Sequence, residues 1–371
     1  MPSHTPIQSR IARGQLPVVR PFPSTDALFV DLKAGVHQIC TPTVVQSARQ
    51  RLLVKAVTIC TLWIGLYGLM LAIGRDGLSV AYLAACALFA WADALVAMNV
   101  THDANHSAMF VARRANRAVG FLTDVIGISS HVWRYVHNSR HHTYPNIEGA
   151  DHDIDSGGVL RLSYDHPRRW WHRYQHLYFP LVYLLNFSAH NLRDIRMFVT
   201  GRVDQHTQLP HMTAGDRVAF CLGKLLCFLM LWALPAVVCG WTTALAGLAV
   251  IAVVFNLTLA TVFQLAHIVP DALTPPEFCR AGPTNTWSEH QLATTANFAT
   301  QSRSIGWLVG GLNFQIEHHL FPRLPHTCYP LVSDYVRTTC QDHGVAYVEY
   351  PTFREALRQH AVALRTLGRK D

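Results

Sequence analysis

Residues 52–106, LLVKAVTICTLWIGLYGLMLAIGRDGLSVAYLAACALFAWADALVAMNVTHDANH, decide the fold. Two apolar runs, about 52–74 and 78–98, flank a turn at Gly74, Arg75, Asp76 and Gly77. Each run is long enough to cross a hydrocarbon core of about 30 Å as a helix, and the short turn permits only antiparallel neighbours. A second pair, about 218–238 and 241–266, repeats the plan around Cys239 and Gly240. Each pair crosses twice, so the N-terminal segment 1–51, the middle segment 101–217 and the tail after 267 are expected on one side. Arg75 is the one basic residue in a far-side turn, and the positive-inside rule then assigns the large segments to the cytoplasm. The expected fold is an all-α integral membrane protein: four transmembrane helices in two hairpins, with a cytoplasmic helical cap. The membrane is expected to be a bacterial inner membrane or that of the endoplasmic reticulum.

Composition agrees. Of 371 residues, 50% are apolar and 15% charged, which excludes disorder and disfavours an ordinary cytosolic enzyme. The net charge of +8 follows the topology, and no nucleic-acid motif accompanies it, so nucleic acid is excluded as a partner. The nine cysteines are odd in number and form no CxxC pair, against a disulfide scaffold, a zinc ribbon or a thioredoxin-type site. Arg10, Arg13 and Arg20 precede no apolar h-region, so no cleaved signal is expected. Residues 52–350 read as one membrane unit. Residues 351–371 form an amphipathic tail, with Phe353, Leu357, Leu364 and Leu367 among Arg354, Arg358, Arg365 and Arg369. The run 177–189 is apolar but too short to span, and is expected to lie in the interface or re-enter it.

Histidine is the unusual residue. None of the 22 lies inside the four apolar runs, which argues against a bis-His membrane haem. His102 and His106, in HDANH, share one helix face at a spacing of four. HNSRHH repeats that spacing with His137 and His141, and turns His142 about one hundred degrees away, towards a second metal. QIEHH sets Gln315 three and four residues before His318 and His319, and His267 ends the fourth apolar run. Eight imidazoles exceed the needs of one ion, so two metals are the simpler reading. Imidazole suits Fe, Zn, Cu and Ni alike, so ligand type alone does not name the metal.

HDANH, HNSRHH and GGLNFQIEHHLFP resemble the three histidine boxes of the integral-membrane fatty acid desaturases. The Gln of the third box is similar to that of the front-end branch and its bacterial acyl-lipid or acyl-CoA relatives. The likeness extends through HHTYPNIEGADHDID, RRWWHRYQH and WSEHQLATTANF, and covers roughly 60–350. It implies a cytoplasmic di-iron site that uses O2 and two external electrons to remove two hydrogens from an acyl chain. The implied ligands are His102, His106, His137, His141, His142, His267, His318 and His319, with Gln315 beside the metal. A saturated methylene has no acidic proton, so acid–base catalysis alone cannot do this work. Asp103, Glu317, Asp151, Asp153 and Asp155 are candidates to accept the free ring N–H of ligand histidines, and Asn138 and Asn297 are similar candidates. His131, His152, His290 and His326 lie close in sequence to the clusters, as outer partners or alternate ligands.

Trp133, four residues before His137, is a candidate lining of the acyl channel, and Trp170 and Trp171 are expected to anchor at the interface. Arg161, Arg168, Arg169 and Arg173 would attract anionic lipid or bind a substrate phosphate. Gly310 and Gly311 would let the chain turn tightly before the third box. The family's fused cytochrome b5 haem motif, HPGG, does not occur, so electrons are expected from a separate donor, a ferredoxin or cytochrome b5 with its reductase. The acyl substrate would be linked to CoA, acyl carrier protein or phospholipid. A hydroxylase or acetylenase uses the same chemistry. A His-rich metal transporter would instead need polar ligands along the spans.

Overall fold

The computed structural model describes residues 22–204, 207–273 and 286–369; Arg10, Arg13, Arg20 and Cys279 lie outside them. The chain is mostly helical, and four helices are long and apolar enough to cross a membrane: α1 (Pro42–Gly74), α2 (Val80–Asn105), α3 (Ala214–Cys239) and α4 (Trp241–His267). Their cores match the apolar runs, but all four helices extend beyond them. Helix α1 starts ten residues early because Thr41 caps it, its Oγ1 accepting from the Val44 N–H, and Pro42 occupies the first turn, where a missing N–H costs nothing. Helix α2, capped by Ser79, continues past the apolar run through a π-helical turn at Ala97–Thr101 and carries His102 on its last turn. Helix α4 likewise ends on His267.

Helix α2 packs along both α1 and α4. Leu52, Ile59 and Met70 of α1 meet Phe89 and Leu95 of α2 and Ile251 and Phe255 of α4 in the main core. Helices α1 and α3 leave large apolar side chains exposed, among them Val54, Val57, Ile64, Val218 and Phe228. An exposed apolar surface of that extent suits lipid rather than water.

The segment between α2 and α3 is built from short helices. Residues 177–189 divide between helices Gln175–Tyr183 and Asn186–Thr200, neither long enough to span, and Leu177, Leu181 and Leu185 face outward. The fold is not purely α. Asn297–Phe298 and Glu349–Tyr350 form a two-residue parallel pair, which ties the stretch before the third box to the tail. Helix Ala27–Ile39 packs against Tyr329–Asp342 through Leu28, Leu32, Val332 and Val336. The C-terminal helix Phe353–Leu367 is amphipathic as expected, and its buried face packs against protein, with Ala363, Leu364 and Leu367 beside Tyr183 and Leu160. Arg161 is drawn into that junction: it is 3% exposed and donates to the carbonyls of Leu367, Tyr164 and His166, so it is a structural cation rather than a phosphate site. The eight described cysteines are free thiols.

Candidate metal centre

Elements far apart in sequence bring the histidines together. His102 and His106 stand on the end of α2 and its continuation, His267 ends α4, and His318 and His319 lie on the short helix Gln315–Leu320. The middle box sits on a π-helix, Arg134–His141. All eight are buried. One ring nitrogen from each of His102, His106, His137 and His318 lies within 4.8 Å of the others, and His141, His267 and His319 form a second such group.

The π-helix adjusts the expected geometry of the middle box. The 137/141 spacing implied one shared face, and the two rings do stack, with centroids 5.0 Å apart and Asp153 close to both, but His142 is not turned away. In the structure the His142 N–H donates to the His137 carbonyl, a five-residue step. His137 therefore joins the first group and His141 the second, while His142 lies between them. Its Nε2 is 3.2 Å from Nε2 of His137, and its ring stacks on His319 with centroids 4.2 Å apart. π-Helical turns inside longer helices occur frequently at functional sites.

The outer partners hold the rings by Nδ1. His141 Nδ1 is 3.0 Å from Asp151 Oδ2, His137 Nδ1 is 3.5 Å from Asp153 Oδ2, and His267 Nδ1 is 3.0 Å from the Thr294 carbonyl. His318 Nδ1 meets the Tyr329 hydroxyl at 3.1 Å, and His319 Nδ1 meets Gln291 Oε1 at 2.8 Å. The Nε2 atoms of His102, His106, His318 and His319 are buried and find no hydrogen-bond partner among the described residues. Four orphaned buried nitrogens, three in the first group and one in the second, would be costly in a finished core, and a metal-binding pocket explains them. Gln315 donates from Nε2 to His267 Nε2 at 3.0 Å and leaves its buried Oε1 unpartnered, beside the second group.

Electrostatics points the same way. Burial, then neighbouring imidazoles, push His106, His142, His318 and His319 well below the usual imidazole range. They are neutral and keep the lone pair that a metal takes. Burial also pushes His137 down to about 4, against the pull of Asp153. His141 differs: burial pushes it down, but the Asp151 and Asp153 carboxylates outweigh that and hold it up to about 9. A bound cation would take the place of its proton.

Several candidates serve elsewhere. Glu317 is turned away from the rings and accepts from Asn297 Nδ2 and the Tyr347 hydroxyl, while Asn297 Oδ1 accepts from the Ile316 N–H. That network anchors the third-box helix rather than aiming a ligand. Asp155 caps the turn at Gly157, and Asn138 donates to the Asn105 carbonyl. Asp103 is the exception: its Oδ2 accepts from His326, while its Oδ1 faces His102 Nδ1 across 3.9 Å, an electrostatic approach and not a hydrogen bond. His131 turns to Asp216 and Pro210, His152 to Asp204, and His290 to the Pro145 carbonyl. Gln291, Thr294 and Tyr329 were missed. Gln291 and Thr294 lie inside WSEHQLATTANF, where a run of polar residues between buried apolar ones was the available signal. Tyr329 carried none.

A cavity of about 110 Å³ adjoins the histidines. Val132, Trp133, Val136, Leu259 and Phe263 line it on apolar surface, and His137, His141, His267, Asp151, Asp153 and Arg193 on polar surface. Trp133 stacks on His137 with centroids 4.3 Å apart, so the expected channel residue stands beside a candidate ligand.

Comparison with known proteins gives the family. Residues 77–351 match the family model described as fatty acid desaturase. The chain is 34% identical to the sn-1 linoleoyl-lipid 6-desaturase of Synechocystis sp., over 77% of this chain and 80% of that one. It is 36% identical to the acyl-lipid (8-3)-desaturase of Physcomitrium patens, over 74% of this chain and 58% of that longer one. With the sn-1 linoleoyl-lipid 6-desaturase of Arthrospira platensis it shares 32% identity over 74% and 75%. A membrane protein whose three histidine boxes converge beside an apolar cavity, this chain belongs to the fatty acid desaturase family of oxidoreductases.

Proposed function

We propose that the chain is an O2-dependent desaturase of lipid-linked acyl chains, with two iron ions held by the eight box and span-end histidines. The observation that supports it most is the pair of histidine groups, each with ring nitrogens within 4.8 Å, with at least one member of each group lining a largely apolar cavity. His102, His106, His137 and His318 would hold one ion and His141, His267 and His319 the other, with His142 between them and Gln315 adjacent. Bound there, iron would supply the redox chemistry with O2 that an unactivated C–H bond demands. The reaction balances as –CH2–CH2– plus O2, two electrons and two protons giving –CH=CH– and two water molecules.

The chain's own residues do the positioning. Asp151, Asp153, Tyr329, Gln291 and the Thr294 carbonyl fix which ring nitrogen faces inward. Trp133, Val136 and Phe263 line the apolar part of a cavity that would receive the acyl chain beside His137, His141 and His267. The four long helices are read as two antiparallel pairs, with the histidine face cytoplasmic as the basic residues indicate. Electrons then come from a separate cytosolic donor. The relatives' names specify acyl-lipid or linoleoyl-lipid substrates, which favours a glycerolipid carrier here.

The test is expression in a host limited to saturated and monounsaturated acids, with metal analysis of the purified protein and lipid-class-resolved mass spectrometry. The expected result is about two iron ions per chain and new double bonds appearing first in intact glycerolipids. Iron-loaded protein that makes no new unsaturation with reductant and a range of acyl lipids would sink the proposal. Hydroxylated or triple-bonded products would reassign it to a hydroxylase or acetylenase.

A further inference from the structure

Lys55 lies within α1, a candidate membrane span, yet is only 8% exposed. An ionisable side chain in such a helix is costly unless partnered, and a functional role is the default expectation. Its partner is specific. Nζ is 2.9 Å from His326 Nε2, and the ring of Trp307 lies beside it, 5.1 Å away at the centroid. An ammonium can only donate, so His326 Nε2 must accept and the ring proton must sit on Nδ1. That Nδ1 is 3.1 Å from Asp103 Oδ2, and the His326 backbone N–H donates to the same oxygen at 3.1 Å. The other oxygen, Oδ1, faces His102 Nδ1 at 3.9 Å, and the orphaned His102 Nε2 belongs to the first histidine group. Asp103, His102 and His326 are all buried.

The Asp103 carboxylate only accepts, so it keeps the ring proton on Nδ1 with or without Lys55. Without the Lys55 donor, His326 Nε2 would be a buried acceptor stripped of its partner, and the ring that anchors Asp103 would be held from one side only. The hydrogen bonds end on Asp103, which adjoins His102 in sequence and faces its Nδ1 across 3.9 Å. Among the described residues, the second group is held instead by Asp151, Gln291 and the Thr294 carbonyl.

We propose that Lys55 is a positioning residue: it satisfies His326 Nε2 and so fixes the ring that holds Asp103, and with it the turn that carries the adjoining His102 into the first of the two metal-binding groups. The inference rests on the reading that the histidines hold iron, and it is asymmetric, since one of the two groups is affected and the other is not.

The experiment uses the full-length, iron-loaded protein in detergent, challenged with a ferrous chelator while iron release is followed by absorbance. In Lys55→Met, about half of the iron should leave roughly tenfold faster, the range typical when an outer partner of a ligand histidine is lost, and the rest at the wild-type rate. Lys55→Arg keeps donor and charge and should restore retention. In an Asp103→Asn background, Lys55→Met should add little, because the two act through one chain. Should Lys55→Met not accumulate, the double variant Lys55→Met with His326→Phe removes both polar partners together and should show the same asymmetry. Unchanged release, equal acceleration of all the iron, or full additivity with Asp103→Asn overturns the inference. Wild-type protein that retains no iron overturns the reading beneath it as well.

Discussion

Gly310→Ala is the substitution from which the structure predicts most. Gly310 has φ +66°, in the left-handed region, and an added Cβ would stand 2.3 Å from the Met98 carbonyl oxygen and 3.2 Å from Asn99 Cα. Both neighbours are backbone of α2, so no rotamer change relieves the clash. The left-handed conformation costs an L-residue about 1 kcal/mol, and forcing a Cβ into close-packed backbone adds roughly 1–3 kcal/mol. Reaching the 3.4 Å of ordinary contact means that the chain must withdraw by about 1 Å. That movement would stretch the Asn99 Nδ2 bond to the Leu308 carbonyl, now 2.9 Å, and shift the third box against the first. A misplacement of that size can cost about a hundredfold in rate.

Two other glycines separate the terms. Gly344 has φ +67° with nothing within 4 Å of an added Cβ, so its Ala variant carries only the conformational cost. Gly65 has open space and no positive φ, and its variant carries neither. Thermal melting in detergent should fall by roughly 4–8 °C for Gly310→Ala, by roughly 2 °C for Gly344→Ala and hardly at all for Gly65→Ala, scaling from about 2 °C per kcal/mol for a chain of this size. Turnover should drop for Gly310→Ala alone. A Gly310→Ala protein that melts with Gly344→Ala and keeps its activity would refute the reasoning.

Two further outcomes follow from particular contacts. Asp151→Asn weakens the hold on His141 Nδ1 and on the Asn146 N–H, so iron retention should fall about 10- to 100-fold, while Asp155→Asn, at a turn remote from the rings, should leave it unchanged; equal effects would contradict the assignment. His360 joins the C-terminal helix to the Ile268 carbonyl and the Tyr183 hydroxyl, and burial pushes it down to about 4. The unfolded chain, with an imidazole near 6.5, therefore binds more protons between those values, so stability present above pH 6.5 is lost as pH falls towards 4. The loss is about 2 kcal/mol by pH 5, and exchange protection of residues 353–367, corrected for intrinsic rates, should drop about thirtyfold. His360→Gln should flatten that dependence, and a wild-type profile already flat would contradict it.

The four long helices were legible because apolar run length is a local property, and their caps at Thr41 and Ser79 extend them only at the margins. His102 and His106 were legible as a pair because an ordinary helical step does place residues four apart side by side. The same rule places His137 beside His141, whose rings stack with centroids 5.0 Å apart, but it did not foresee His142 closing on His137, since Arg134–His141 winds as a π-helix and nothing in HNSRHH announces the five-residue step. The acids show the limit most clearly. Asp151, Asp153 and Asp155 are equivalent as letters, yet Asp151 and Asp153 approach ring nitrogens while Asp155 caps a turn.

By itself, then, the amino-acid sequence determined what depends on composition and short-range spacing: an apolar four-helix plan, a basic side, and eight imidazoles in clusters that resemble one family's boxes. Tertiary structure alone decided how those imidazoles divide into two groups and which partner holds each ring. It also placed Lys55 of the first long helix beside His326 near the chain's end. The reason is physical. Ligand geometry and hydrogen-bond partnership act over a few ångströms in space, and residues 271 positions apart acquire that proximity only when the helices pack.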